Sequence, residues 1–470
     1  MRKIIAIAVA CLSFGAVLGQ SKGYKVKVKL LGEQQDSIWV RADQPLGEVQ
    51  KIGRDKNGEF SFSFSDSTNV VFAFGPIEQK VASSPIFLEK GDNLQVSTDF
   101  GDNVTFSGKG AENARVLHEA LRAYREAYNK KAEEIGGKTL PPSEVFEVYY
   151  GLGKIPLAVL EVNKSVVTPT FYKHQLVSFT AQKLGFPILI PARTGKKLSE
   201  AIPEEYWAIE QEVVMDDALL VYPDYKKFMQ SNYPVFLLNK VKRDRGVLDH
   251  VFTLAEETKM KLDIVERTYP AELKKITCYS IINGALTKAK DIAAVKPLMD
   301  EYIARSASAS EKESLMKEYD RLEKLSAGRI PPPFELDDLN GKKVSLKDFA
   351  GKVVYIDFWA SWCGPCRQEM QHGSPRLHAK MKDNKDVVFL YISIDDDATK
   401  WRKAIEEDKI EGIHLLSKGG NNSVVAKAFN ISGIPRYVII GRDGKILDNE
   451  ATRPSQPETY QALMNALNKG

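Results

Sequence analysis

Residues 359–369 read WASWCGPCRQE: Cys363 and Cys366 flank Gly364-Pro365, with Trp362 immediately before them. Thiols at positions i and i+3 of a helix lie one turn apart, close enough to be oxidised to a disulfide with little backbone movement. A helix is expected to open at Cys363, because Pro365 near a helix start costs nothing: its missing N–H would have had no intrahelical partner. There the unpaired backbone N–H groups and the helix dipole favour negative charge, which biases the Cys363 thiol towards thiolate, the nucleophilic form. Cys366, one turn in, is expected to be buried and to stay protonated until needed. Zinc is the competing chemistry for such a pair, but zinc needs four ligands, normally from a second CxxC or a spaced His pair. His372 follows Cys366 too closely for the usual finger spacing, His378 stands alone, and no further cysteine is near. No metal site is expected, and the redox-active disulfide itself is the only prosthetic element.

Outward from the pair, strands and helices alternate. Residues 353–358 (VVYIDF) and 387–394 (VVFLYISI) are apolar runs of the kind that form strands buried on both faces. Residues 399–409 read as a helix. Residues 437–440, the GRDG turn at 441–444 and residues 445–447 read as strand, turn, strand, and 459–469 as a closing helix. A βαβ unit followed by a hairpin and a last helix is the order of a thioredoxin domain. Residues 326–333 (SAGRIPPP) form its boundary, since helix cannot continue through that run of Gly and Pro. The Asp395-Asp396-Asp397 run after the second strand reads as a solvated loop, because consecutive carboxylates do not converge on a metal.

Two further regions precede it. Between residues 24 and 108 the pattern has period two: KVKVKL at 25–30 alternates polar and apolar, and Phe60, Phe62 and Phe64 alternate with serines. Asn57-Gly58 is a hairpin signal, and Gly91-Asp92-Asn93 and Gly101-Asp102-Asn103 mark further turns. An all-β sandwich or barrel of roughly eight strands is expected. From residue 111 the period becomes helical: Leu117, Leu121, Tyr124 and Tyr128 share one face, as do Leu315, Tyr319 and Leu322. Prolines through this stretch are expected to cut it into many short helices. The 470-residue chain is too long for one core, and the expected division is a signal peptide at 1–19, a β-rich domain at 20–109, a helical region at 110–326 and the redox domain at 327–470.

The first twenty residues, MRKIIAIAVACLSFGAVLGQ, place Arg2 and Lys3 before an apolar stretch that ends at small or medium residues, Val17-Leu18-Gly19. That is the pattern of a secretory signal peptide, which predicts export to the periplasm. Cys11 lies inside the apolar run and does not close it, so cleavage after Gly19 fits better than lipid attachment at Cys11. The mature chain then keeps Cys278, Cys363 and Cys366, an odd number that leaves one thiol unpaired. A net charge of +4, from 66 basic and 62 acidic residues, offers no field for a polyanion and argues against nucleic-acid binding.

The segment YIDFWASWCGPC at 355–366 resembles the active-site segment of thioredoxin. With PPPFEL at 331–336, VSLKDFAGK at 344–352 and Gly433-Ile434-Pro435, the region from 330 to 470 is similar to the exported TlpA/ResA branch of the thioredoxin superfamily. The segments in front resemble, more loosely, the uncharacterised N-terminal regions of such exported proteins in Gram-negative bacteria. The resemblance implies that Cys363 attacks a substrate disulfide and Cys366 resolves the mixed disulfide. It implies that Asp357 is the buried acid beneath the pair, that Trp362 shields the pair and contacts substrate, and that Pro435 is a cis-proline which, with Ile434, pairs with an extended substrate segment. Relatives commonly carry proline where this chain has Gln371. Gly373 and Pro375 follow, so the active-site helix is expected to break two to four residues later than in those relatives.

The expected function is an exported thiol–disulfide oxidoreductase, acting mainly as a reductase. Thioredoxin, which shares the Gly-Pro dipeptide, sits near about −270 mV, and a strong oxidant of the same fold near about −120 mV. A reductase in an oxidising compartment needs a transmembrane thiol reductase as electron donor. Its clients would be proteins with disulfides, cytochrome c precursors among them. Two alternatives stand beside this reading: a disulfide isomerase or oxidase at the same site, and a binding or assembly protein to which the redox domain is accessory. The sequence leaves the oligomeric state open.

Overall fold

A computed structural model describes residues 24–32, 35–42, 50–64, 70–76, 85–101, 103–289 and 291–468. The signal-peptide segment, Cys11 and Asp102 lie outside the described residues. The chain forms two compact units, residues 1–249 and 250–470.

The first unit begins with eight strands: β1 (Tyr24–Leu30), β2 (Ser37–Ala42), β3 (Gln50–Gly53), β4 (Phe60–Phe64), β5 (Val70–Pro76), β6 (Ile86–Leu88), β7 (Asn93–Thr98) and β8 (Val104–Lys109). They make two four-stranded sheets, ordered β4-β1-β7-β8 and β3-β2-β5-β6. Alternation along β1 turns Tyr24, Val26 and Val28 inward and the lysines outward. Those residues share one core with Phe60, Phe62, Leu94 and Val96 of the same sheet and Ile38, Val40, Ile86 and Leu88 of the other, which makes the domain a sandwich. The Asn57-Gly58 turn is not a hairpin turn. It carries the chain from β3, paired with β2, across to β4, paired with β1. Asp55 shapes it locally, its carboxylate accepting from the backbone N–H groups of Asn57 and Glu59.

Helices follow: α1 (Ala111–Ile135), α2 (Pro142–Val162), α3 (Pro169–Leu189), the short α4 (Leu198–Ala201) and α5 (Pro223–Lys227), and α6 (Tyr233–Asp244). The prolines divide into two kinds. Those at 142, 169 and 223 stand in first turns, as expected, whereas Pro234 follows a π-turn over Phe228–Asn232 through which α5 continues into α6. Pro156 and Pro187 instead lie inside α2 and α3, and those 21-residue helices run on through them. Both rings are buried, so packing offsets the lost backbone bond, which costs about 3 kcal/mol in an exposed helix.

The second unit opens with α7 (Leu254–Thr268), α8 (Ala271–Lys288), α9 (Lys296–Arg305) and α10 (Ala309–Glu323). Capping boxes at Thr253/Glu256 and Ser308/Glu311 start α7 and α10. Then come β9 (Glu335–Asp338), β10 (Lys343–Ser345), β11 (Val353–Trp359), α11 (Gly364–Gln368), α12 (Ser374–Met381), β12 (Val387–Ser393), α13 (Ala398–Asp408), β13 (Ile413–Leu416), α14 (Val424–Ala428), β14 (Arg436–Ile440), β15 (Ile446–Asp448) and α15 (Pro457–Leu467). The seven strands form one sheet in the order β10-β9-β13-β12-β11-β14-β15, with β11, β12 and β13 parallel. Every residue of β11 is buried. Val354, Ile356 and Phe358 face Trp401 and Ala404 of α13 and Val425 of α14. Val353 and Tyr355 face Leu377 and Met381 of α12 and Leu463 of α15. This is an α/β/α thioredoxin fold.

The segment before β9 is tied to that domain. Leu325 is 2% exposed within the domain core, and Gly328 and Arg329 exchange backbone hydrogen bonds with Ile446 of β15, both 2.8 Å.

Candidate redox site

Strand β11 ends at Trp359, and four residues later Cys363 caps the next helix. Cys363 N–H bonds to Ala360 O at 3.0 Å, which closes the intervening turn. The Cys363 backbone is extended and its Sγ accepts from Cys366 N–H at 3.2 Å, so the sulfur occupies the place of an N-cap acceptor. Cys363 and Cys366 form a disulfide with Cα atoms 5.3 Å apart. Cys363 is nearly buried and Cys366 fully so. Pro365 stands in the first turn. A Cβ on Gly364 would meet no atom within 4 Å, so space alone does not require glycine there.

The helix does not break beyond the pair. It widens into a π-turn over Glu369–Gly373 and continues as α12. The wide turn accommodates Pro375, whose ring and missing N–H would cost an α-helix a backbone bond and crowd its preceding turn. Gly373 lets the turn pass close to the domain: a Cβ there would collide with the Glu369 carboxylate and lie 2.8 Å from Ser455 N. Arg367 anchors the same helix to the end of α13 through paired bonds to Asp408, 2.5 and 2.8 Å long.

Asp357 lies on β11, 1% exposed, between Tyr391 of β12 and Tyr437 of β14 in the strand register. Among the described residues neither carboxyl oxygen has a hydrogen-bond partner. Burial pushes its pKa well above the usual carboxylate range, and the negative charge of Glu369 adds to that. Glu369 is itself held by Ser455, whose N–H and hydroxyl donate to its two oxygens. Trp362 is 63% exposed beside the pair. The Ile434–Pro435 peptide bond is cis, immediately before β14, and Ile434 packs against the cluster that holds both cysteines.

Two acidic residues of this region carry more than the sequence reading assigned them. Nothing in the local sequence assigns Glu369 a role, and Asp395 reads there as part of a solvated loop. Asp396 and Asp397 are exposed, and Asp397 caps α13, but Asp395 is 1% exposed and bonded to Ser361. The available signal was position: Asp395 follows a parallel strand at its carboxyl end, where open α/β sheets build sites. Cys278, the third thiol, is free and buried on α8. Burial, with the charge of Glu266, pushes its pKa up to about 12. Among the described residues no group of three or more His, Cys, Asp or Glu is arranged to hold a metal ion.

The Redoxin family profile matches residues 326–464. The thiol-disulfide oxidoreductase ResA of Bacillus cereus is 31% identical over 129 residues, 27% of this chain and 72% of that protein. The chain belongs to the ResA-like thiol-disulfide oxidoreductases. It is an oxidoreductase of the thioredoxin fold, and the likeness lies in its C-terminal third. The thioredoxin-like protein YneN of Bacillus subtilis is also similar to the ResA-like domain, at 31% over 140 residues, 30% of this chain and 79% of the relative. The solved thioredoxin domain of a thiol-disulfide oxidoreductase from Bacteroides vulgatus is 31% identical, covering 31% of this chain and 99% of that one, with a TM-score of 0.28.

Proposed function

We propose that this protein is exported to the periplasm and reduces disulfides of proteins there. The observation that carries this is the Cys363–Cys366 pair at a helix start, with Gly-Pro between the sulfurs and an unpartnered buried acid on the neighbouring strand. In the reduced enzyme the Cys363 thiolate attacks one sulfur of a client disulfide. The client S–S bond breaks, a mixed disulfide forms, and the first client sulfur leaves and takes up a proton. The Cys366 thiol then gives its proton to the ionised Asp357 carboxyl and attacks Cys363 Sγ. The second client sulfur leaves, two electrons have passed to the client, and the enzyme holds the disulfide. Burial raises the pKa of Asp357 above the usual carboxylate range, which makes it a stronger proton acceptor than an exposed carboxylate.

Trp362, Ile434 and Pro435 are the groups that would meet the client, the last two through backbone pairing with an extended segment. A transmembrane thiol reductase would return the electrons, and cytochrome c precursors are among the clients that need this chemistry. The basic and apolar residues of the first twenty positions support export.

The test is the reduction potential of the pair in thiol–disulfide buffers, with Cys278→Ser to leave one redox couple. A value at or below about −250 mV supports a reductase, and one above about −180 mV makes isomerase or oxidase the working function. Cys366→Ser should also trap clients as mixed disulfides through Cys363, and their identity tests the periplasmic setting.

A further inference from the structure

The loop that delivers Cys363 to its helix is held from the neighbouring strand. Asp395, just past β12, accepts from the Ser361 backbone N–H at 2.8 Å through one carboxylate oxygen and from the Ser361 hydroxyl at 2.7 Å through the other. The hydroxyl of Ser393 donates to the first of these oxygens at 2.8 Å, and the Asp395 N–H returns a bond to Ser393 Oγ at 3.0 Å. Asp395 and Ser393 are both buried. Among the described residues no basic side chain pairs with Asp395, so neutral donors alone satisfy this buried carboxylate. Retaining one carries a desolvation cost that only good geometry offsets. Both oxygens converge on a single residue, Ser361, two positions before the nucleophile. The same strand end is braced on either side: Ile394 N–H bonds to Trp359 O at 2.9 Å, Ser417 N–H to Ser393 O at 2.8 Å and Gly420 N–H to Ile394 O at 3.0 Å.

We propose that Asp395 is a positioning residue for Cys363: through Ser361 it fixes the entry of the chain into the active-site helix, and so keeps the Cys363 sulfur over the helix N–H groups when the disulfide is open. The covalent link to Cys366 holds that sulfur in the oxidised state. In the reduced state the link is gone, and only the backbone leading into the helix keeps the thiolate beside the donors that stabilise it. The clamp therefore matters most in the reduced form.

Two effects of Asp395 on the Cys363 thiol have opposite signs, and this makes the idea testable. As a bare negative charge near the sulfur, Asp395 would raise the thiol pKa, and removing the charge would lower it. As a positioning residue it lowers the pKa, and removing it raises it. The measurement is the pH dependence of iodoacetamide alkylation of the reduced full-length protein, for Asp395→Asn, Ser361→Ala and Ser361→Thr. The proposal rests on Cys363 being the attacking thiol, and loss of the low-pH alkylation in Cys363→Ser tests that premise separately. With positioning, Asp395→Asn moves the midpoint up by about one pH unit, a tenfold loss of thiolate below it. Ser361→Ala moves it up by less, and Ser361→Thr, which keeps the hydroxyl, restores the wild-type profile. A downward shift in Asp395→Asn, or an unchanged midpoint in Ser361→Ala, overturns the proposal. The Ser361 pair decides the question by itself if Asp395→Asn does not fold.

Discussion

At the scale of single residues, the chemistry turns on how differently the structure treats groups of the same kind. Asp357 is buried without partners, whereas Asp395, equally buried, is fully bonded. The folded-state pKa of Asp357 is raised above its ordinary value of 3.8. Its contribution to stability is therefore present in full below that value and is lost as pH rises through the folded pKa. Asp357→Asn should change stability little below pH 3.8 and raise it at alkaline pH, in urea unfolding followed across pH. The same change should slow disulfide reduction about 10²-fold at pH 7 in an insulin-reduction assay if Asp357 takes the proton of Cys366 as proposed. Equal stability of the two proteins at high pH would mean that the carboxyl is ionised without penalty and would remove the basis for its role. Cys278 has the complementary prediction: with its thiol pushed up to about 12, it should resist Ellman's reagent in the folded protein and react only in denaturant. The cysteine pair was legible in the sequence because strand, turn and helix start are local features, and Asp357 was legible only through the resemblance of segment 355–366 to thioredoxin. The Asp395 clamp was not, because it joins residues 34 positions apart and depends on β11 and β12 lying side by side.

At the scale of elements, the active-site helix is one continuous rod with a widened turn, and Gly373 is the residue that permits it. Gly373→Ala should force the Glu369 carboxylate away from Ser455 and cost about 1–3 kcal/mol, read as a lower melting temperature, while Gly364→Ala should leave the melt within about 0.5 kcal/mol. A similar drop for both would show that the packing around Gly373 is not what matters. The π-turn explains why sequence reading expected a break here. Gly373 and Pro375 are helix breakers by local propensity, and tertiary contacts override them: Met370, Leu377 and Met381 pack into the domain core, and Arg367 is bonded to Asp408. The same override carries α2 and α3 through Pro156 and Pro187. The Asn57-Gly58 turn is a different case: its turn chemistry is local and legible, but which strands pair is a long-range matter. The buried β11 and β12 and the alternating β1 were plain, because their period reports burial directly.

At the scale of the whole molecule, the redox domain extends further back than the Redoxin match. Leu325 precedes residue 326 yet sits in the core with Phe334 and Ile446. Leu325→Ala should destabilise the domain by about 2–5 kcal/mol, seen as an earlier urea midpoint in fluorescence from the buried Trp359 and Trp401. A loss under about 1 kcal/mol would mean that this segment is only laid against the domain. The helical stretch also belongs to two units, α7–α10 lying with the redox domain and α1–α6 with the sandwich. A chain whose business is exchanging sulfur partners carries its own hazard, since any accessible third thiol would compete with its clients for Cys363. Cys278 is placed away from that rivalry: it is buried on α8, and burial pushes its thiol pKa up to about 12, so the form that could attack the enzyme's own disulfide is disfavoured.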